Sequence, residues 1–250
     1  MKLNKHSPLQ TEYQKEAELE RSKYFNEGLG DTIDKLRSVN RFIGRQELAK
    51  IIAYTDIFRK TSGVVGSIAD CGVFFGGGLM TYANLCAALE PYNYQLKVLG
   101  FDTFEGDVGH TPIDKLGTVD REMYNYCAPV FDDLSRCATL FDLDRPVNHL
   151  SKIELVQGDL RETSAQYIAD NPQVCFRIIH LSVNLYAPTK ETILRFYPRL
   201  SRGGALVIQG LNYTVGATQA LFDAFDELNL TVPQISHFDY FPNITYLIKE

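Results

Sequence analysis

The stretch "GSIADCGVFFGGGLMTYANLCAALE", residues 66–90, decides the fold class of this chain. Its first part, "GSIADCGV", predicts a short buried strand, and the glycine-rich turn that follows leads into a predicted helix. A strand, a tight turn and a helix in this order form the repeating unit of α/β folds. Where the unit repeats along a chain, the strands form a parallel sheet that is covered by helices.

The same unit recurs along the rest of the chain. Four more strands are predicted: "QLKVLGFD" (95–102), "KIELVQGD" (152–159), "VCFRIIHLSVN" (174–184) and "GGALVIQG" (203–210). The predicted helices that alternate with them lie at 121–142, 160–169, 188–200 and 215–228. Two last segments, "LTVPQISHFD" and "PNITYLIKE", predict a closing pair of strands. The fold class is therefore α/β, with a doubly wound, Rossmann-like sheet that is mostly parallel and has an antiparallel C-terminal edge.

The N-terminal part of the chain differs from this alternation. Residues 1–60 are expected to form a helical arm or lid, and residues 61–250 the α/β domain. From Thr32 to about Lys60, apolar residues recur at three- and four-residue spacing, which predicts a helical stretch. An arm of this kind suits docking on a partner subunit, so a homo-oligomer, a dimer or larger, is expected.

Composition narrows the classes of function. The net charge is −6 and no long basic run is present, which disfavours a nucleic-acid partner. No apolar stretch approaches the roughly 18 residues that span a bilayer, and the first residues lack the apolar core of a signal peptide. The five cysteines are scattered, without a C-x-x-C pair, which is typical of reduced cysteines in a cytoplasmic protein. A cytoplasmic protein with a small-molecule partner, away from membranes, is expected.

Residues just after the strands are the first candidates for a binding site, because ligands of doubly wound sheets bind beyond the carboxyl ends of the strands. The first strand ends in Asp70, followed by a turn with Gly72, Gly76, Gly77 and Gly78. Such a turn lets a ligand approach the backbone, and the helix after it offers N–H groups to an anion. The alternative is that the glycines only allow close packing of helix on strand.

The next two strands also end in acids. Asp102 suits a ribose diol, because a carboxylate accepts hydrogen bonds from both hydroxyls; the alternative is a loop or N-cap aspartate. Asp159 suits the exocyclic amine of a base, with the Leu160 N–H at a ring nitrogen; the alternative is that Asp159 caps the helix at 160–169. Together, the three strand ends describe a pocket for an adenosine nucleoside with a polar tail.

These motifs resemble a class I S-adenosylmethionine-dependent methyltransferase. The stretches "ADCGVFFGGGL", "GFDTFEG", "HLSVNLYAPTKETILRFYPRLSRGGALVI" and "ITYLIKE" resemble the TylF/MycF (macrocin O-methyltransferase) family over roughly residues 40–250. The resemblance implies that the methionine moiety binds Asp70, Gly72, Gly76 and Gly77, with Asp102, Thr103 and Phe104 at the ribose. It implies that Gly158, Asp159 and Leu160 read adenine, that Ser182 borders the cofactor, and that the loop 103–120 covers the pocket.

The sequence departs from the family at its metal site. The family binds magnesium through aspartates in motifs like "HLDxDLY" and "IDDY", where this chain has "HLSVNLY" and "VIQGLNY". Ser182 and Asn184 replace the first pair of acids, and Gln209 and Gly210 the second. Because magnesium favours carboxylate oxygens, no metal is expected.

The acceptor side then depends on neutral groups and on histidines. His110 in the loop, Asn184 and Gln209 are the candidate catalytic residues. His180 is expected to be buried and structural, and His237 to pack near an edge. Arg41 and Arg45 are candidates for an anionic acceptor, and Tyr186 and Tyr213 for the lining of its pocket, with solvated charges and aromatic packing as the alternatives.

The expected function is S-adenosylmethionine-dependent O-methylation, without a metal, of a small polar metabolite or sugar-containing natural product. The alternative is a catalytically silent S-adenosylmethionine-binding module that acts by association. An NAD-dependent oxidoreductase is disfavoured by the spacing of the glycine turn.

Overall fold

The computed structural model describes residues 11–115 and 130–250. The chain divides into two compact units, with the boundary between Ile52 and Ala53. No helix within the described ranges is long and apolar enough to cross a membrane.

The N-terminal unit is helical. Helix α1 (Glu12–Glu27) and helix α2 (Thr32–Arg37) each begin with a capping box, in which the cap residue and the third helical residue exchange hydrogen bonds. Helix α3 (Arg45–Lys60) begins in this unit and continues into the next. The helical stretch predicted from Thr32 to Lys60 is therefore interrupted after Arg37. Ser38 ends α2 by donating from its backbone N–H and its hydroxyl to the Asp34 carbonyl.

The C-terminal unit is built on a seven-stranded sheet with the strand order β3-β2-β1-β4-β5-β7-β6. The strands are β1 (Ser67–Cys71), β2 (Val98–Asp102), β3 (Ile153–Gln157), β4 (Phe176–Leu181), β5 (Leu200–Gln209), β6 (Ser236–Phe238) and β7 (Phe241–Ile248). Strands β1 to β5 pair in parallel, whereas β7 pairs antiparallel with β5 and β6. The predicted mostly parallel sheet with an antiparallel C-terminal edge is confirmed, although β6 is shorter than its predicted strand.

One helix follows each of the parallel strands β1 to β5, and these helices cover the sheet. They are α4 (Gly77–Leu89), α5 (Phe131–Leu143), α6 (Leu160–Asp170), α7 (Tyr186–Phe196) and α8 (Val215–Glu227). The helix predicted over 121–142 is found from Phe131 onwards, and its earlier part lies outside the described residues. Likewise, only the first part of the loop 103–120 is described; it contains a short 3-10 helix, Pro112–Lys115.

The two faces of the sheet carry separate apolar cores. One core joins the second half of α3 and helix α4 to the sheet, and the other joins helices α6, α7 and α8. Because both faces are covered, the central strands β1 and β4 are buried along their whole length. The cysteines that the structure describes, Cys71, Cys86, Cys137 and Cys175, are free thiols.

Arg177 is a buried charge in β4, with only 1% of its surface exposed. Its guanidinium donates to Glu90 Oε1 at 2.6 Å, to the Phe58 carbonyl at 2.7 Å and to Thr61 Oγ1 at 3.0 Å. Burial acts to raise the pKa of Glu90, but the hydrogen bonds from Arg177 and Asn93, together with the charges of Arg177 and Lys152, outweigh it, and the pKa falls below its ordinary value. The ion pair ties β4 to the end of α4, and the hydrogen bond to the Phe58 carbonyl ties it to α3.

Candidate functional site

Three acids stand at the carboxyl ends of three neighbouring strands. Asp70 lies in β1, Asp102 ends β2, and Asp159 follows β3 directly before α6. Because β3, β2 and β1 are adjacent and parallel, these carboxylates share one edge of the sheet. The sequence analysis placed the candidate cofactor site at this edge.

The turn after β1 is held open by glycine. Gly72 has φ 92° and Gly76, the N-cap of α4, has φ 81°, a region that other residues rarely adopt. A Cβ on Gly72 would lie 2.8 Å from Ser182 Oγ, whereas a Cβ on Gly77 would meet nothing within 4 Å. A Cβ on Gly78 would lie 3.0 Å from Asp70 Oδ2. Gly77 therefore leaves open space at the start of α4, while Gly72 and Gly78 permit close packing.

Asp102 fixes two segments of strained backbone. Its Oδ2 accepts from the Phe74 N–H at 2.9 Å, and its Oδ1 accepts from the Phe104 N–H at 2.8 Å. Both phenylalanines have left-handed backbone, with φ 52° and 57°, which costs about 1–2 kcal/mol for an L-residue. Thr103 stabilises the same loop by donating to the Gly106 carbonyl at 2.7 Å. The carboxylate thus couples the glycine turn to the loop after β2.

Asp159 caps helix α6, as the alternative from the sequence proposed. Its Oδ1 accepts from the Arg161 N–H at 2.9 Å, and its Oδ2 accepts from Arg161 Nη2 at 2.5 Å. Hydrogen bonding from the Arg161 side chain lowers the pKa of Asp159. Leu160, the first residue of α6, is buried, and the Gly158 N–H donates to the Asp102 carbonyl. The sequence analysis did not identify Arg161. The available signal was its position two residues after the N-cap aspartate, from which a basic side chain can reach the carboxylate.

The polar side chains at the end of β4 bond to the protein itself. Ser182 Oγ lies 3.0 Å from the Cys71 carbonyl and 2.8 Å from the Gly72 carbonyl. Asn184, with φ 58°, donates from Nδ2 to the Ser182 carbonyl at 3.1 Å. Both side chains therefore help to shape the strand end, and Ser182 fastens it to the glycine turn.

Gln209, at the end of β5, belongs to a buried polar cluster. Its Nε2 lies 3.0 Å from Tyr54 Oη and 3.1 Å from His180 Nε2. On the other side of the imidazole, His180 Nδ1 lies 3.1 Å from Tyr82 Oη and 4.0 Å from Asp70 Oδ1. His180 is fully buried, as the sequence predicted. The cluster connects the end of β5 to the acid in β1.

Asp114 is a buried carboxylate that the sequence analysis missed. Its Oδ1 accepts from the Tyr186 N–H, at the start of α7, at 2.8 Å. Its Oδ2 accepts from both the N–H and the hydroxyl of Thr111, each at 2.8 Å. The side chain thereby anchors the loop after β2 beside the end of β4. The available signal was an acid in a polar loop, two residues after the Thr111-Pro112 pair.

The remaining candidates from the sequence have surroundings of their own. His110 is exposed in the loop, and Tyr213 has 47% of its surface exposed. Tyr186 donates from its hydroxyl to Asp223 Oδ2 on α8 at 2.7 Å, which raises its pKa. His237 is exposed in β6, near Asp239. Arg41 and Arg45 belong to the N-terminal unit, where Arg41 Nη2 donates to Tyr24 Oη at 2.7 Å.

The donor set at the ends of β4 and β5 does not fit a magnesium ion. Ser182, Asn184, Gln209 and Gly210 supply no carboxylate, and magnesium favours charged oxygen ligands in octahedral geometry. The three side chains already make hydrogen bonds to carbonyl groups or to the buried cluster. Within residues 11–115 and 130–250, no three histidine, cysteine or acidic residues are grouped so as to hold a metal.

The comparisons with known proteins agree with this architecture. The structure of CalS11, a calicheamicin methyltransferase, superposes with a TM-score of 0.88 at 24% identity, covering 99% of this chain and 96% of that one. The apo structure of CalS11, described as a TDP-rhamnose 3'-O-methyltransferase, gives a TM-score of 0.81 at 23% identity, with 96% and 95% covered. The O-methyltransferase NovP gives 0.60 at 15% identity, with 84% and 81% covered. These likenesses show a shared fold.

Sequence comparison gives the family. No curated protein sequence matches the chain significantly. The sequence model of the macrocin-O-methyltransferase (TylF) family matches residues 3–243, which is nearly the whole chain. The chain therefore belongs to the macrocin-O-methyltransferase (TylF) family.

Proposed function

We propose that this protein transfers a methyl group from S-adenosylmethionine to a hydroxyl of a sugar-containing small molecule, without a metal ion. The observation that carries the proposal is the row of acids at adjacent strand ends, Asp70, Asp102 and Asp159, in a chain of a methyltransferase family. Each acid suits a different part of the cofactor, and the glycine turn lies beside the first of them.

The cofactor side is assigned from polarity and space. Asp70 lies beneath the glycine turn and suits the ammonium of the methionine moiety. Each oxygen of Asp102 accepts one backbone N–H and keeps a lone pair that a ribose hydroxyl can use. Both carboxylate oxygens of Asp159 accept hydrogen bonds from Arg161. An adenine amine would therefore share the carboxylate with this half-exposed arginine or displace it.

The chemistry of the donors at the ends of β4 and β5 supports metal independence. The sulfonium of S-adenosylmethionine is an activated methyl donor, so positioning for in-line attack supplies much of the rate. A metal would orient the acceptor and lower its pKa, and here neutral side chains replace the acids that would hold it. We assign orientation of the acceptor to Asn184 and to the loop after β2, with His110 of that loop as the candidate base.

Calorimetry tests the cofactor and the metal together. S-adenosylmethionine and S-adenosylhomocysteine are titrated with Mg²⁺ and with EDTA, and NAD serves as the competing ligand. We expect binding of both sulfur compounds that is unaffected by EDTA. Binding that requires Mg²⁺ contradicts metal independence, and binding of NAD alone contradicts the cofactor assignment.

Release of S-adenosylhomocysteine tests transfer itself. TDP-rhamnose is the first acceptor to use, because the description of CalS11 names it. Methyl transfer to a sugar hydroxyl, with EDTA present, is the expected result. Binding of the cofactor without transfer to any sugar nucleotide or glycoside would favour the silent binding module, which the inward-facing contacts of Ser182 and Gln209 also support.

A further inference from the structure

We propose that Gln209 is a positioning residue: its amide holds the buried His180 in the neutral tautomer that carries its proton on Nδ1. The Nδ1–H group then faces Asp70 beneath the glycine turn. The effect on cofactor binding rests on the proposed function, whereas the tautomer does not. The sequence analysis listed Gln209 as a catalytic candidate, and its contacts assign it a different role.

The first step is a count of the hydrogens on the amide. Gln209 Nε2 carries two hydrogens and has two partners, Tyr54 Oη at 3.0 Å and His180 Nε2 at 3.1 Å. When each hydrogen goes to one partner, His180 Nε2 accepts and must present a lone pair. A neutral imidazole has one donor and one acceptor nitrogen. The proton of His180 therefore lies on Nδ1.

The groups on the other side of the ring complete this pattern. His180 Nδ1 lies 3.1 Å from Tyr82 Oη, which accepts its hydrogen, and 4.0 Å from Asp70 Oδ1. Burial, together with the charge of Asp70, raises the pKa of Tyr54, and burial is also the main cause of the raised pKa of Tyr82. Both phenols therefore stay protonated and neutral around the aspartate.

The rings are packed so that His180 has little freedom to turn. Tyr54 stacks on Tyr82 with centroids 5.1 Å apart and an interplanar angle of 15°. Its ring also meets His180 edge to face at 4.8 Å and 88°. Because His180 is fully buried, the hydrogen bonds at its two nitrogens decide its tautomer rather than solvent.

An acid at position 209 would reverse this arrangement. A carboxylate has no hydrogen to donate, so it would require the proton of His180 on Nε2. The Nδ1 lone pair would then face the Asp70 carboxylate, which is electrostatically unfavourable. An amide at this position instead keeps the proton on Nδ1, which donates to Tyr82 Oη and lies 4.0 Å from Asp70 Oδ1, and this nearby positive end favours the charged form of Asp70 that a cofactor ammonium requires.

Nitrogen NMR measures the tautomer directly. Protein labelled with ¹⁵N in its histidines gives a long-range spectrum that distinguishes protonated from unprotonated ring nitrogens. The signals of the other histidines are assigned by single substitutions to Gln at His6, His110, His149 and His237. For His180 we expect a protonated Nδ1 and an unprotonated Nε2 near neutral pH. A proton on Nε2 in the unsubstituted protein overturns the proposal, and this test needs no variant of the cluster.

Two variants test the role of the amide. Gln209→Glu is expected to place a proton on His180 Nε2, whereas the control Gln173→Glu, at an exposed position, should leave the spectrum of His180 unchanged. Gln209→Met keeps the length of the side chain without its donors, and we expect it to weaken binding of S-adenosylhomocysteine by about tenfold. An unchanged spectrum in Gln209→Glu overturns the tautomer assignment. Unchanged affinity in a folded Gln209→Met overturns the link to the cofactor.

The same measurements separate this inference from the proposed function. If the unsubstituted protein fails to bind S-adenosylhomocysteine, the proposed function is wrong, and the NMR result alone decides the role of Gln209. If the cofactor binds and the proton lies on Nε2, the function stands and the positioning role is wrong.

Discussion

The backbone N–H of Tyr186 donates to the carboxylate of Asp114 at 2.8 Å, which joins the loop after β2 to the first turn of α7. Asp114 is 5% exposed and accepts two further hydrogen bonds from Thr111. One buried side chain therefore holds a loop of the candidate cofactor site against the strand end on the acceptor side. Because the loop is fixed at Asp114, the preceding loop residues His110 and Thr111 are held in place as well.

Replacing Asp114 with Ala should loosen this loop. The Tyr186 N–H and the two Thr111 donors lose their acceptor, and we expect a loss of about 1–3 kcal/mol in the free energy of unfolding. If the loop orients the acceptor, the KM for the acceptor should rise more than the Kd for S-adenosylmethionine. Urea unfolding and steady-state kinetics measure both effects. Asp144→Ala, at an exposed position, is the control, and equal stability of the two variants would contradict the anchoring role.

Replacing Asp102 with Ala should affect the cofactor and the backbone together. The carboxylate accepts the N–H groups of Phe74 and Phe104, and the proposed ribose would add two more donors. We expect cofactor binding to weaken by about 1–3 kcal/mol. Amide hydrogen exchange at Phe74 and Phe104 should also become faster in the absence of cofactor. Unchanged calorimetric affinity would show that ribose does not bind Asp102.

Replacing Phe74 with Gly should reveal the strain in the glycine turn. Phe74 has φ 52° and is 37% exposed, and glycine adopts this backbone conformation without the strain that a Cβ causes. Phe74→Gly relieves that strain, whereas Phe74→Ala removes the same ring and retains the strained Cβ. We expect the Gly variant to be more stable than the Ala variant by about 1 kcal/mol. Urea unfolding of the pair measures this difference, and a less stable Gly variant would argue against strain at this position.

The sequence predicted the sheet because apolar runs and helical patterns are local signals. The β1 strand and its glycine turn were identified from residues 66–90, and Asp70, Asp102 and Asp159 were placed at strand ends from the alternation alone. The contacts of Gln209 could not be predicted in the same way. Its partners Tyr54 and His180 are 155 and 29 residues away along the chain, and no local pattern encodes which side chains meet across a sheet.

The interruption after Arg37 and the contact of Asp114 show the same limit. Apolar spacing continued through Ser38, so periodicity alone predicted a longer helical stretch than the structure contains. Asp114 lies in a polar loop, where an acid usually faces solvent, and its burial depends on the position of α7. Packing against α7 decides the burial of Asp114, whereas the helix break follows from hydrogen bonds of Ser38 to the Asp34 carbonyl, which apolar spacing does not report.

Acidification should weaken the buried pair of Arg177 and Glu90. The pKa of Glu90 is lowered in the folded protein, whereas the unfolded chain has the ordinary value of about 4.3. At a pH between these two values, the unfolded chain binds the proton more readily than the folded protein does. The pair therefore stabilises the fold above the ordinary pKa, and this contribution is lost as the pH falls through the folded value. Glu90→Gln leaves the Arg177 charge without its counterion, which should destabilise the protein near neutral pH by at most about 3–5 kcal/mol. The difference in stability between the two proteins, measured by urea unfolding from about pH 7 to about pH 3, should shrink toward acid. A difference that stays constant or grows on acidification would show that Glu90 is not the proton-linked group, because the other carboxylates are common to both proteins.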